Sequence, residues 1–417
     1  MDKIVVNGGF PLHGSVNVSG AKNAVLPILA ATILTSGKNR ITNIPRVRDV
    51  TTMVRLIREL GGKVDRFEAD EIVLDSSAVD NPEAPYDLVS TMRASCMVLG
   101  PLLARLGEAR VSLPGGCAIG ARPIDLHLKA FAAMGAEIAL EGGYIRGTAK
   151  KLRGIRYYFD TVSVTGTANA MMAAVLADGE TLLENVAREP EVVFLADVLN
   201  RAGAKIEGAG SDTIIIQGVS SLKPIECRIP PDRIETGTYM IAAAMTRGNV
   251  EIHNCIPQHL ETLILKLMET GTQVEVNSSS IKVRGRESWS AANITTQPYP
   301  GFPTDFQAQF MAMMTLAEGQ SIMVETVFEN RFMHAAELKR MGADITLRGN
   351  TAIIQGVKYL SGAPVMATDL RASASLVLAA LAARGESTIS RIYHIDRGYE
   401  NMEKKLARLG AVVRRES

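Results

Sequence analysis

A thiol set among glycines carries the sharpest chemical signal in the chain. Cys117 follows Gly115 and Gly116, precedes Gly120, and has Arg122 five residues on. Glycines on both sides argue against a packed core position, so Cys117 reads as a reactive thiol in a glycine-rich loop and not as an inert core cysteine. A cation beside a thiol lowers its pKa from about 8.5, so one group can act as acid or as thiolate near neutral pH. Basic residues recur at matching places: Lys22 in GAKN, Arg93 in TMRAS, Arg122 after the cysteine loop, Arg331 in FENRFMH, Arg371 in TDLRAS and Arg397 in HIDRG. They stand at helix starts or in the loops before helices, where free N–H groups and the helix dipole attract anions. Six such cations together predict a site for a ligand with several negative charges. Blander readings exist for single members. Asn23 and Asp232 are ordinary cap types, Asp305 after Pro303 reads as an N-cap, and Arg233 as a surface charge. His127, His334 and His394 stand at no ligand spacing, so no metal site is expected.

These residues are positioned by a repeat. Gly61, Gly135, Gly203, Gly271, Gly342 and Gly410 each close an amphipathic helix before an apolar strand, at intervals of about 70 residues. Gly37, Gly107, Gly179, Gly248, Gly319 and Gly385 close a second helix in each unit with the same period. Glycine just past a helix is the expected C-cap, because the chain turns there through positive φ. One unit reads as a small-residue helix (SLVLAALAARG), a short strand, a loop, an amphipathic helix, two strands joined by a turn (DITLRGNTAIIQG) and a further extended segment. The alanine-rich helices have no polar face, so they belong inside a ring of the other elements. The start, DKIVVNGG, reads like DTIIIQGV at 212–219 and TAIIQGV at 351–357, so the N-terminal strand is predicted to pair with the C-terminal one.

A chain of 417 residues suits two to four domains. With 47% hydrophobic and 21% charged residues it is globular, not disordered or fibrous. A net charge of +1 and 5% aromatic residues argue against a dedicated nucleic-acid binder. The longest apolar stretch, Ala24 to Leu34, contains Pro27 and Thr32 and falls well short of the roughly 18–20 residues a bilayer needs. MDKIVVNGGF lacks the pattern of a cleaved signal, and Cys96, Cys117, Cys227 and Cys255 show neither metal spacing nor a disulfide framework. A cytoplasmic protein with reduced thiols is expected.

The segments NVSGAKNAVLPILAA, LPGGCAIGARPIDLHL, AREPEVV, PDRIETGTYM, FPTDFQAQFM, TVFENRFMHAAELKRMGAD, ATDLRASASLVLA and RIYHIDRGYE closely resemble the UDP-N-acetylglucosamine 1-carboxyvinyltransferases, a family of enolpyruvyl transferases. The resemblance runs from about residue 3 to about residue 413. It implies an inside-out α/β barrel architecture of six pseudo-repeats, three per domain around buried helices, with domains at 21–229 and at 1–20 plus 230–417, closing over the substrates. The implied reaction moves the enolpyruvyl group of phosphoenolpyruvate to the 3-hydroxyl of UDP-N-acetylglucosamine and releases phosphate. That is the first committed step of peptidoglycan synthesis, run by addition and elimination without a metal or organic cofactor.

By the same resemblance Cys117 is the general acid and the residue that forms a cysteinyl-pyruvate phosphothioketal adduct. A phosphonate epoxide inhibitor is expected to alkylate it. Asp305 matches the base, or the group that orients the sugar hydroxyl. Lys22, Arg122 and Arg397 match phosphate-holding residues, and Arg331 and Arg371 the carboxylate side. Asn23, Arg93, Arg122, Pro123, Ile124, Asp125, Leu126, Val162, Ser163, Val164 and Val327 are implied to contact the UDP-sugar. One position departs: Ala168 stands where the family pattern has an acidic residue. Three rival readings fit the residues less well. The shikimate-pathway enolpyruvyl transferases lack the cysteine loop, an inactive regulatory paralogue would not need Lys22, Cys117, Asp305 and Arg397 together, and a terminal phosphate cyclase would be more basic.

Overall fold

The small-residue helices have no polar face to offer water, and in the computed structural model, which describes residues 2–68, 70–113 and 124–416, they form the cores. The described residues divide into two units, one of residues 20–113 and 124–230 and the other of residues 2–19 and 231–416. In the first unit, helices Lys22–Ala31, Leu99–Leu106 and Val164–Ala174 are buried along most of their length. In the second, every residue of Arg233–Met245 is buried, as are Phe306 to Met314 of Thr304–Met314 and Arg371 to Leu381 of Leu370–Ala382. Such packing demands small residues where helices touch. A Cβ on Gly237 would come within 2.4 Å of the Phe306 ring, and one on Gly100 within 2.4 Å of the Asn169 carbonyl oxygen.

Six four-stranded sheets surround these helices among the described residues, three in each unit. Their strands alternate inward and outward, as in Thr213–Gln217, where Ile214 and Ile216 are buried and Ile215 faces out. The strand after each buried helix lies antiparallel to the second strand of a hairpin and parallel to a short edge strand. Gly385–Ser390 thus pairs with Lys3–Gly8 on one side and Pro364–Met366 on the other. Beyond Lys3–Gly8 lies Val412–Glu416, with Ile4 opposite Arg415, so the first and last strands are neighbours as the repeat predicts. Thr213–Gln217 and Thr351–Gln355 hold the same place in their own sheets.

The edge strands behave differently where the chain passes between units. His13–Asn17 precedes helix Lys22–Ala31 but pairs with Asn249–His253, while Glu226–Arg228 precedes Arg233–Met245 but pairs with Lys38–Thr42. Each edge strand therefore stays with the unit the chain is leaving. Partly buried polar contacts secure one of these passages. The Ser19 N–H donates to Glu235 Oε2 at 2.8 Å, and Lys405 Nζ donates to Ser19 Oγ at 2.8 Å and to Glu235 Oε1 at 2.5 Å. Desolvation pushes the Glu235 carboxyl up, against the pull of Lys405.

All six glycines of the first set have φ between 91° and 109°. The second set departs once. Gly248 is not left-handed; Arg247 takes that turn at φ 57°, and Gly248 stands where a Cβ would lie 2.3 Å from the Leu12 carbonyl oxygen. A further repeat feature went unread in the sequence. Asn43, Asn185 and Asn254 all adopt positive φ, and each side-chain amide donates to a carbonyl at the end of the adjoining edge segment: Ile229, Phe159 and Val18. Among the described residues no helix is long and apolar enough to cross a membrane.

Candidate active site

In the unit of residues 2–19 and 231–416, Asp305 is the second residue of helix Thr304–Met314. The expected N-cap role is not what it does. Pro303 occupies the cap position, and the Asp305 carboxylate turns to two guanidinium groups instead. Arg331 donates to Oδ1 at 2.9 Å and Arg371 to Oδ2 at 3.1 Å. Both arginine side chains are almost fully buried, at 2% and 5% exposed, while Asp305 keeps 27%. A carboxylate oxygen can accept two hydrogen bonds, so a substrate hydroxyl can share Asp305 with both arginines. Burial by itself would pull the Arg371 guanidinium down, but Asp305, Tyr399 and Asp232 outweigh it and hold it above its ordinary value. Asp369 caps helix Leu370–Ala382, accepting the N–H groups of Arg371 at 2.8 Å and Ala372 at 3.1 Å, which sets the root of the Arg371 side chain. Arg397 ends the short helical turn Ile392–Arg397 and is half-buried. Its charge, after burial, helps to push the His394 imidazole down. The carboxylate of Asp232 does serve as an N-cap, accepting from the N–H groups of Ile234 and Glu235. Arg233 is buried, not a surface charge.

Val327 is partly exposed, and a buried carboxylate holds it in place. Glu325 Oε1 accepts the Val327 N–H at 2.8 Å, the Phe328 N–H at 3.1 Å and the Thr296 hydroxyl at 2.8 Å. Its Oε2 accepts the Thr304 hydroxyl at 2.8 Å, at the first residue of the helix that carries Asp305. Four donors converge on one buried charge. Glu325→Ala is therefore expected to cost about 2 kcal/mol of stability, since one buried donor and three partly buried ones lose their acceptor. Glu325→Gln, which keeps one oxygen, should cost less. Urea unfolding checks this, and a loss below about 0.5 kcal/mol for the alanine variant would deny Glu325 that role.

In the other unit Lys22 is the first residue of helix Lys22–Ala31, and its ammonium lies 3.3 Å from Asp49, with side chains 14% and 4% exposed. Asn23 follows it, half-buried. Arg93 begins the 3₁₀ turn Arg93–Val98. Ile124 precedes helix Asp125–Ala133, on which Asp125 is exposed and Leu126 buried. Val162 and Ser163 are half-buried, Val164 is exposed, and the Ser163 hydroxyl caps the next helix by accepting the Gly166 N–H at 3.1 Å. Ala168 is buried in that helix. Cys117, Arg122 and Pro123 lie outside the described residues.

His127 and His334 are buried core histidines, each with its pKa pushed down to about 4. Desolvation is the main cause, with Arg93 adding to it for His127 and Arg331 for His334. A histidine depressed below its unfolded value of 6.5 contributes full stability above that pH and loses it as pH falls toward about 4, because the unfolded chain binds the proton more readily. Each should contribute a loss of about 2 kcal/mol between pH 7 and pH 5. Ring proton shifts that show either imidazole half-protonated near pH 6.5 in the folded protein would contradict this.

Sequence reasoning passed over Asp49, Glu325 and Asn169. Asp49 ends the polar loop PRVRD at residues 45–49, so an acid facing Lys22 was within reach of a charge-pairing argument. Glu325 and Asn169 sit inside apolar stretches, and only their buried hydrogen bonds mark them.

A family model described as EPSP synthase (3-phosphoshikimate 1-carboxyvinyltransferase) matches residues 6–406. The UDP-N-acetylglucosamine 1-carboxyvinyltransferase of Geobacter metallireducens is 58% identical over 415 residues, covering 100% of this chain and 99% of its own. That of Myxococcus xanthus is 56% identical over 418 residues, covering 100% of both. Among solved structures, the enolpyruvyl transferase NikO from Streptomyces tendae superposes with a TM-score of 0.90 at 27% identity, over 99% of this chain and 98% of that one. EPSP synthase from Acinetobacter baumannii gives 0.77 at 19% identity over 100% of both, a likeness of fold alone.

Proposed function

The chain belongs to the EPSP synthase family of enolpyruvyl transferases, and from that membership we infer that it transfers the enolpyruvyl group of phosphoenolpyruvate to the 3-hydroxyl of UDP-N-acetylglucosamine, releasing phosphate. It is a transferase of peptidoglycan precursor synthesis. The single observation that carries the choice of acceptor is the full-length identity of 58% to relatives named for that reaction. Addition places a proton on the methylene carbon and the sugar oxygen on the neighbouring carbon. Elimination then removes a methyl proton and expels phosphate, so electrons balance without a redox partner.

The residue roles follow from this reading. Cys117 donates the proton to the methylene carbon and forms the covalent adduct. Asp305 orients the sugar hydroxyl and accepts its proton, a role supported by a carboxylate anchored through both oxygens. Lys22, Arg122 and Arg397 hold the phosphate, and Arg331 and Arg371 serve the carboxylate side; their compact positive charge suits two oxyanions. Asn23, Arg93, Pro123, Ile124, Asp125, Leu126, Val162, Ser163, Val164 and Val327 contact the nucleotide sugar. Residues 21–229 and residues 1–20 with 230–417 act as the two functional domains, a division supported by the two units of the fold. Both substrates are cytoplasmic metabolites, which supports a cytoplasmic enzyme.

The test is phosphate release from phosphoenolpyruvate with UDP-N-acetylglucosamine compared with shikimate 3-phosphate. Turnover with the first alone is expected; turnover with the second alone would overturn the assignment.

A further inference from the structure

Asn169, inside helix Val164–Ala174, has a side chain whose orientation is forced. Its Oδ1 accepts the Gly100 N–H at 2.8 Å and its Nδ2 donates to the Cys96 carbonyl at 2.9 Å. A flipped amide would set donor against donor and acceptor against acceptor. The remaining Nδ2 proton points at His127 Nδ1, 3.0 Å away, so that ring nitrogen is the acceptor. Protonating it would oppose two donors inside a core where His127 is 2% exposed. The imidazole is therefore neutral at pH 7 and carries its one proton on Nε2, consistent with a pKa pushed down to about 4 by burial and by Arg93. Nε2 faces Thr165 Oγ1 at 3.3 Å. The threonine hydroxyl accepts that proton, and its own proton must point elsewhere. Among the described residues no other hydrogen bond engages it.

Thr165 is half-buried and directly follows Val162, Ser163 and Val164. The neighbouring Ser163 hydroxyl already accepts the Gly166 N–H. A hydroxyl held as an acceptor on its inner side can only donate outward, and the partner that suits it is an oxygen without a proton. A phosphate oxygen meets that condition at neutral pH, while a sugar hydroxyl also has a proton of its own to place. We infer that Thr165 is a preset hydrogen-bond donor to the diphosphate of the nucleotide sugar, with His127 and Asn169 as positioning residues that act through it. This rests on the proposed use of UDP-N-acetylglucosamine.

The test compares Thr165→Val, which is nearly isosteric, with Thr165→Ser, which keeps the hydroxyl. Thr165→Val should raise KM for UDP-N-acetylglucosamine about tenfold, the usual scale for losing one hydrogen bond to a charged oxygen. The KM for phosphoenolpyruvate should stay put, and Thr165→Ser should restore most of the loss. Calorimetric binding of UDP-N-acetylglucosamine and of UDP alone should weaken by the same factor in the valine variant. An unchanged KM, a loss that serine does not rescue, or a loss confined to kcat would overturn the inference, as would weakened UDP-N-acetylglucosamine binding with UDP binding intact. Should the wild-type protein bind UDP-N-acetylglucosamine without turning it over, the proposed reaction fails while the binding comparison still decides the Thr165 role. A wild-type protein that binds neither nucleotide refutes both.

Discussion

Cys117→Ser is expected to cut turnover by about 10²–10⁴-fold, the span that a positioned general acid contributes. A hydroxyl is a far weaker acid than a thiol, so the proton for the methylene carbon would be lost with the sulfur. The same substitution should abolish alkylation by a phosphonate epoxide that mimics phosphoenolpyruvate. In that alkylation the thiolate attacks an epoxide carbon, the ring C–O bond breaks, and the oxygen takes a proton to leave a thioether. The other cysteines provide an internal control. Burial pushes the Cys227 thiol up to about 12 and the Cys255 thiol up to about 11, and Cys96 is 4% exposed. Cys227 and Cys255 therefore offer no thiolate near neutral pH, and Cys96 is closed off by its burial. Peptide mapping should therefore find the label on Cys117 alone. Cys117→Asp should keep some turnover while resisting the epoxide, because a carboxyl group can donate a proton but lacks the sulfur nucleophile. Label spread over several cysteines, or a serine variant within tenfold of wild type, would remove Cys117 from the chemistry.

The second large effect is expected at Asp305, and it has two separable parts. Asp305→Ala should lower kcat by at least about 10²-fold, because the sugar hydroxyl loses both its orientation and its proton acceptor. It should also lower stability by about 3 kcal/mol, because Arg331 and Arg371 are left buried with their shared carboxylate gone. Asp305→Asn preserves volume and one acceptor oxygen but turns an NH₂ group toward one arginine, so it should recover only part of the stability and little of the activity. Measuring kcat well below each variant's unfolding temperature keeps the parts distinct. A variant stable to within about 0.5 kcal/mol of wild type would mean the two arginines find other partners. A kcat within tenfold would mean that Asp305 neither orients nor accepts.

Much of the architecture could be read along the chain because it is written in local terms. Glycines from Gly61 to Gly410 recur where the backbone must pass through positive φ, a demand that few other residues meet cheaply. Stretches such as MIAAAM and SLVLAALA lack any polar face, so their burial followed from composition before any partner was known. Likeness between residues 2–9 and 212–219 was enough to pair the first strand with the last, since equivalent strands of a repeat take equivalent places.

Contacts between distant segments lay beyond that kind of reasoning. Asp305 meets Arg331 across 26 residues and Arg371 across 66, and local sequence around FPTD fits a helix cap equally well. The exchange of edge strands at the two passages depends on which sheet has an open edge nearby, not on anything in His13–Asn17 or Glu226–Arg228 themselves. The Leu12 backbone comes too close for any Cβ at 248, while the left-handed turn falls one residue earlier, on Arg247. Proton placement from Asn169 through His127 to Thr165 joins three side chains and two backbone groups, Gly100 and Cys96, from four elements. Periodicity and composition report what one residue needs from its own backbone and from water. Which donor faces which acceptor is settled only when the packed elements exclude water and leave each buried polar group a single partner.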